Sequence, residues 1–409
     1  MRTDGVVVTG LGATTPLGGD VASSWAALIA GRSGIRGIEA AWAADSPVRI
    51  AGQLAVEPTE ALDRVQARRL DRCEQVALIA AREAWADAGA PQVEPARLAV
   101  VIGTGTGGAL TMLEQDDVLE ARGARRVSPH TVPMLMANGP AAWVSLELGA
   151  RAGAHTPVSA CASGAEAIAY GLDLIRLDRA DVVVAGGAEA CLHPLPLAGF
   201  AQARAHSLRN DEPGAASRPF DVARDGFVIG EGAAVVVLER ADFAAARTAR
   251  AHAVLAGAGV TADAHHITAG HPEGQVRAMR AALAAAYTSV GITAGDVGVV
   301  SAHATSTQKG DLVEAQSVAE AVGLHPAVTA TKSATGHMFG AAGAFGAVAA
   351  ILAIREGVVP ATRNLDVLDP EVKLDVVRGA PRRIRVDAAL ANAFGFGGHN
   401  AALVFARAA

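Results

Sequence analysis

Short apolar runs, broken by glycine, proline or charge, alternate with helix-period segments along the whole chain. Val6-Val7-Val8 before Thr9-Gly10-Leu11-Gly12 reads as a buried strand followed by a tight turn. Helical patterns follow over 23–31 and 72–88. Leu98–Ile102 is a second buried strand, running into Gly103-Thr104-Gly105-Thr106-Gly107-Gly108. A helix over 142–148 leads to Val158-Ser159-Ala160-Cys161, read as a strand ending in a cysteine, and Ala165–Ala169 then opens a helix. Ala180–Gly187 is another buried strand. Strands alternating with helices predict an α/β fold of parallel sheets covered on both faces.

Around 239–251 the pattern passes through a charged helix and restarts. It gives a strand over 253–258, a helix over 275–290 and a strand over 297–301. A late strand, Ala389–Ala393, ends in Phe394-Gly395-Phe396-Gly397-Gly398. This layout repeats that of the first half, which predicts a duplicated architecture with halves 1–250 and 251–409 sharing one tight interface.

Composition narrows the class. A chain of 409 residues, 51% apolar, supports a large core. Three scattered cysteines, Cys73, Cys161 and Cys191, argue for a reducing compartment and against a disulfide framework. A formal charge of -6 gives no support for nucleic-acid binding, and no apolar run is long and unbroken enough to predict a membrane span. The expectation is a cytoplasmic protein with no signal peptide.

The candidate chemistry gathers at strand ends. At a strand-to-helix turn Cys161 sits over the first turn of a helix, where free N–H groups and the positive dipole end favour a thiolate. Its bland alternative is a buried cysteine acting as a small hydrophobe. His303, just beyond the strand 297–301, is a poised donor or base, and Lys332 and His337 precede the small-residue helix that opens at Gly340. Gly103, Gly105 and Gly108 fit G-x-G-x-x-G after a strand, a weak dinucleotide signal in so glycine-rich a chain. His303, His337 and His399 show no His-x-x-x-His spacing, so no metal is expected.

Four ordered motifs then bring in a family. SACASG around Cys161, AHATST around His303, KSATGH with Lys332 and His337, and the loop FGFGGHN resemble the β-ketoacyl-acyl-carrier-protein synthases, most nearly synthase II of bacterial type II fatty-acid synthesis. The likeness runs from GVVVTGLGATTPLG to the C-terminus and includes the segment Ser217–Glu239. It implies the thiolase fold, two similar halves in five αβαβα layers, a dimer, and decarboxylative Claisen condensation. By the resemblance, Cys161 carries the acyl group, and the N–H groups of Cys161 and Phe396 form the oxyanion hole. His303 and His337 hold the malonyl thioester oxygen, and Lys332, paired with Glu314 and supported by Asp311, holds His337. Thr305 and Thr307 bind the pantetheine arm. Phe396 gates an acyl pocket that includes Thr106 and Phe200. Arg64, Arg68 and Arg72 recur every four residues on one helical face, with Arg69 beside them, and with Arg125 and Arg126 they are candidates to dock an acidic acyl carrier protein. No cofactor or metal is implied.

Three positions depart from the family pattern: Ser301 where Asn is common, Gln308 where Pro is common, and Gly346 where a glutamate follows the GAAG turn. They leave two pathways open, fatty-acid synthesis as a homodimer, or a reducing or polyene-type type II polyketide system as a heterodimer with a chain-length factor. Cys161 and both histidines argue against a non-catalytic chain-length factor. The lack of a cysteine in the C-terminal glycine loop argues against a biosynthetic thiolase.

Overall fold

A computed structural model describes residues 5–408. In the first half, β1 (Val6–Thr14), β2 (Leu98–Gly103), β3 (Gly153–His155), β4 (Val182–Glu189) and β5 (Gly232–Arg240) lie in the order β3-β2-β4-β5-β1. In the second, β6 (Ala253–Ala262), β7 (Val297–Ser301), β8 (Ala327–Thr329), β9 (Ala388–Gly395) and β10 (His399–Ala406) lie in the order β8-β7-β9-β10-β6. Numbered within its own half, each order is 3-2-4-5-1. The duplication read from the sequence is therefore present as topology. β1 meets β6 over two residue pairs, Val7 with Val254 and Val8 with Ala253, which joins the halves edge to edge.

Neither sheet is all-parallel, although the sequence predicted parallel sheets. Within each half the third, second and fourth strands pair parallel, while the fourth, fifth and first pair antiparallel. In the second half the reason is local. Only Phe396-Gly397-Gly398 separates β9 from β10, and a turn that short can only reverse the chain.

Six helices cover the sheets: α1 (Arg72–Asp87), α2 (Gly139–Leu148), α3 (Ser163–Arg176), α4 (Pro272–Val290), α5 (Gln308–Ala321) and α6 (Ala342–Glu356). Side-chain alternation along each strand sorts them into layers. Val182 and Val184 of β4 pack outward with Val76, Ala80 and Ala84 of α1 and Val144 of α2. The intervening Val183 and Ala185 pack inward with Ile168 and Leu172 of α3. Leu390 and Val404 pack outward with Met279 of α4 and Val318 of α5, while Ala389, Ala391, Leu403 and Phe405 face the central layer with α6. The result is helices, sheet, helices α3 and α6, sheet, helices.

Small residues set the spacing of that centre. A Cβ on Gly343 would stand 3.0 Å from Ala165 Cβ, and one on Gly164 would stand 2.5 Å from Gly340 O. The stretch Phe339–Glu356 is long and apolar enough to cross a membrane, yet 89% of it is buried inside the protein as this central helix.

Three elements differ from the sequence reading. β1 continues through Gly10 and Gly12 instead of turning after Val8, because α1 lies directly on it. A Cβ there would fall 2.0 Å from Ala84 O and 1.9 Å from Ala80 O. No strand leads into Cys161: β3 stops at His155, and the residues after it are irregular. Of the charged helix over 239–251 only Ala241–Ala246 is helical. Glu239 belongs to β5, fully buried, with Thr9 and Arg247 donating to its carboxylate.

Candidate active site

Cys161 stands in a single 3₁₀ turn, Ala160–Ala162, that feeds α3. Ala160 holds φ +51°, a left-handed conformation an alanine adopts at a cost, which turns the chain sharply enough to put the sulfur at the helix entrance. Ser163 locks the turn: its hydroxyl accepts from Ser159 N–H at 2.9 Å and lies 2.7 Å from Ala160 O. Across the halves, His337 Nε2 is 3.0 Å from Cys161 Sγ. His303 stands at 84° to His337 with ring centroids 5.5 Å apart.

Each second-half group is held by backbone. Glu314, buried on α5, accepts from His303 N–H at 2.7 Å, Ala304 N–H at 2.6 Å and Asn392 Nδ2 at 3.2 Å. Lys332 Nζ donates to the carbonyl of His303. Its partner is thus the backbone of the first histidine, where the resemblance had it holding His337. The positive charge still lies within the field of Glu314. His337 is fixed by a β-type bridge, its N–H donating to Val228 O at 2.7 Å and its carbonyl accepting from Gly230 N–H at 2.9 Å. Asp311, also buried, accepts from Phe220 N–H at 2.8 Å and Ser306 N–H at 3.1 Å. Arg224 clamps the same loop through Thr307 O at 3.1 Å and Gln308 O at 2.7 Å. The hydroxyls of Thr305 and Thr307 meet at 3.1 Å along its edge.

Burial dominates the electrostatics. It pushes the Cys161 thiol up to about 12, with Lys332 and the backbone N–H groups of Phe396 and Cys161 pulling the other way. The resting group is therefore a thiol. The thiolate expected from the helix end alone is overridden by desolvation of the charge. Burial, reinforced by Lys332, holds His303 and His337 well below the usual imidazole range, so both are neutral at pH 7. Lys332 is lowered to about 8 by burial, against the charges of Glu314, Cys161 and Asp311.

The N-terminal family model for β-ketoacyl synthase matches residues 3–244, and the C-terminal model matches residues 252–366. The chain belongs to the β-ketoacyl synthase family. It is 46% identical over 406 residues to 3-oxoacyl-[acyl-carrier-protein] synthase 2 of Mycobacterium tuberculosis, covering 98% of this chain and 97% of that protein. Among solved structures it is similar to the ishigamide ketosynthase/chain length factor, at TM-score 0.92 and 32% identity with both chains fully covered. It is also similar to AntDE:AntF, a type II PKS acyl-carrier protein in complex with its ketosynthase bound to the hexaketide, at TM-score 0.89 and 29% identity over 99% of each chain.

Other residues of the family pattern fall around this centre. Phe396 is 42% exposed at the tip of the β9–β10 turn, with its N–H on the sulfur and the left-handed Gly397 and Gly398 behind it. Phe200 stacks on Phe339 with centroids 5.4 Å apart, and Phe227 stands edge-on to both. Thr106 is exposed, its hydroxyl donating to Glu189 at 2.6 Å. The basic residues do not form one helical face. Arg64 lies in the one-turn helix Arg64–Ala67, capped by Arg68, and Arg72 starts α1, where Glu57 at 2.7 Å and Glu231 at 2.8 Å already engage it. Arg64, Arg68, Arg69, Arg125 and Arg126 are exposed.

The dinucleotide signal has a different use. Gly105 and Thr106 N–H groups donate to Glu189 and Gly107 N–H to Thr104 Oγ1, so these amides are not free to cradle a phosphate. Among the described residues no group of three or more His, Cys, Asp or Glu is arranged to hold a metal, and His399 stands beside Gly397 at the start of β10. A surface cavity of about 600 Å³ between Arg355, Arg383, Arg385 and Arg407 lies at the far end of α6. Sequence reasoning missed Glu189, Phe227, Phe339, Arg224 and Asn392. Glu189 alone left a trace, as a charge closing an otherwise apolar strand.

Proposed function

We propose that this chain is a 3-oxoacyl-[acyl-carrier-protein] synthase in which Cys161 carries the growing acyl chain and malonyl-carrier thioester extends it. The observation that carries the reading is the meeting of Cys161 Sγ with His337 Nε2 at 3.0 Å beside a second neutral imidazole, His303.

Cys161 sulfur attacks the acyl thioester, the pantetheine sulfur leaves, and the thiol proton goes with it. The Cys161 and Phe396 N–H groups stabilise the oxyanion at that carbon. The malonyl thioester then loses carbon dioxide, and neutral His303 and His337 donate hydrogen bonds to the enolate oxygen. Imidazolium would be an acid as well as a donor, so burial that keeps both rings neutral suits a group that must stabilise a carbanion without quenching it. Attack on the acyl carbon expels the Cys161 thiolate, which takes up one proton. Lys332 positions the His303 loop through its carbonyl, with Glu314 and Asp311 holding that loop's amides. Thr305 and Thr307 line the approach of the pantetheine arm. Phe396 gates an acyl pocket formed with Phe200 and bordered by Thr106. No cofactor or metal takes part in these steps.

Exposed Arg64, Arg68, Arg69, Arg125 and Arg126 suit an acidic carrier protein. Among the described residues β3 ends the sheet with one edge unpaired, and Met112, Val132 and Leu146 are exposed on helices of the same half, with Met136 exposed just after one. That surface suits a second ketosynthase-fold chain, either another copy or a chain-length factor. Three free cysteines suit the cytoplasm.

Intact-mass spectrometry after exposure to acyl carrier proteins tests the reading. The expected result is a thioester adduct on the parent and none on Cys161→Ala. An adduct that persists in Cys161→Ala would overturn it. Adducts from saturated chains without a partner support the homodimeric fatty-acid role. Adducts only from unsaturated chains, or only with a homologous partner, support the polyketide role.

A further inference from the structure

Glu189, the last residue of β4, is fully buried and gathers five donors from two segments of chain. Oε1 accepts from Thr106 Oγ1 at 2.6 Å, Thr106 N–H at 3.1 Å and Thr104 Oγ1 at 3.2 Å. Oε2 accepts from Gly105 N–H at 2.7 Å and, across the half boundary, from Gly340 N–H at 3.1 Å. Both segments touch the nucleophile's turn. Thr104 O is 3.1 Å from Ser163 Oγ, the hydroxyl that locks Ala160. Gly340 follows Phe339, whose ring lies 4.7 Å from that of His337. A Cβ on Gly105 would stand 2.6 Å from Glu189 Oε2 and 3.8 Å from Ala160 O, so one glycine separates the carboxylate from the Cys161 turn.

We propose that Glu189 is a positioning residue that ties the loop Thr104–Gly107 to the His337–Gly340 turn and, as a buried negative charge beside Cys161, keeps the sulfur protonated until substrate arrives. Burial raises the Glu189 carboxyl above its ordinary value, and five donors, more than a neutral acid could use fully, pull it back towards the ionised form. Burial is the main cause of the raised thiol; the charge of Glu189 adds to it by opposing a negative charge on the sulfur, while Lys332 pulls the other way. A resting thiol in so enclosed a cleft is protected from oxidants, which react with thiolates.

The significance for catalysis rests on the ketosynthase reading, but the test does not. The rate at which iodoacetamide alkylates the Cys161 peptide is followed against pH for the parent and Glu189→Gln. Gln keeps the shape and one acceptor while removing the charge. A profile about one unit lower means about tenfold more thiolate below the midpoint. The lower nucleophilicity of a more acidic thiol takes back part of this, leaving alkylation roughly threefold faster. A merely structural Glu189 would lower stability without moving the profile, and an unmoved profile overturns the proposal. If Glu189→Gln does not fold, Thr106→Val and Thr106→Ser decide. Loss of the hydroxyl in Val, with the same shape, is expected to change the alkylation rate at least twofold while Ser leaves it unchanged. Equal rates in both overturn the proposal.

Discussion

The two halves share a strand order but not a task, and the turns that enter their central helices show why. Before α3 the chain makes the 3₁₀ turn Ala160-Cys161-Ala162, with Ala160 at φ +51°. Before α6 it makes Phe339-Gly340-Ala341, again 3₁₀, again with its first residue left-handed at φ +38°. Gly340 therefore occupies in the second half the place that Cys161 occupies in the first. One turn presents a nucleophile. The other has no side chain, and its N–H donates to Glu189. Each half also fixes the loop after its second strand by capping two successive amides with a buried carboxylate: Glu189 takes Gly105 and Thr106, Glu314 takes His303 and Ala304. The carboxylates come from different elements, the end of β4 and the middle of α5. Duplication supplied two facing sets of strand ends, and divergence gave one the sulfur and the other the imidazoles.

Gly340→Ala gives the sharpest test of that comparison. The Gly340 turn packs on the loop that follows β2, and a Cβ there would stand 2.7 Å from Thr104 Cα and 2.8 Å from Gly105 N, both backbone. Overpacking against backbone costs about 1–3 kcal/mol, so the urea midpoint should fall and acyl-adduct formation with it. Wild-type stability would mean that the Gly340 turn is not in close contact with that loop.

Glu314→Gln should act more narrowly. The carboxylate's charge raises Lys332 towards its value of about 8, so its loss lets that value fall and leaves the amine mostly neutral at pH 8, where the parent keeps about half its charge. Lys332 is in turn the charge that most favours the Cys161 thiolate, so acyl transfer at pH 8 should slow, by about tenfold for a one-unit change. The parent Lys332 binds fewer protons folded than unfolded between about 8 and its ordinary 10.5. Its contribution to stability therefore rises with pH across that window, and in Glu314→Gln the rise should begin at lower pH. Identical pH–stability curves for the two proteins would separate Glu314 from Lys332.

These residues were unequally legible in the sequence. Cys161, His303, Lys332 and His337 sit next to glycines and small residues at the ends of apolar runs, where a polar side chain has a reason to be noticed. Glu189 and Phe339 act through backbone amides and ring packing from sites far apart in sequence, and no local period marks such contacts. The strand order was out of reach for a related reason. Periodicity says that a strand exists and which residues share a face, but it carries no pairing direction, and so the sheets were read as parallel; β5 and β10, which pair antiparallel, were not read as strands. The basic helix failed by the opposite route: a four-residue spacing is real in the sequence, but Leu70 and Asp71 are buried and Asp71 caps a new helix, so the spacing does not run along one axis.

Gly346, the departure that most set this chain apart, yields the smallest predicted effect and one of opposite sign. Three glycines, Gly340, Gly343 and Gly346, recur every third residue into α6 and face the first half or β7. At Gly343 a Cβ would meet Ala165 N at 3.1 Å and Ala393 Cβ at 2.9 Å, so alanine there should destabilise as it does at Gly340. At Gly346 the only neighbour within reach among the described residues is Ser301 Oγ at 3.3 Å. That hydroxyl is buried without a hydrogen-bond partner and is free to rotate aside. Gly346→Ala then gains the helix preference of alanine over glycine, about 1 kcal/mol at most, with a small deduction for moving the serine. The expected result is a urea midpoint equal to or slightly above the parent's, with acyl transfer unchanged. A loss of stability comparable to that of Gly343→Ala would mean that Ser301 is held in place by something beyond its visible neighbours, and that the space over Gly346 is needed.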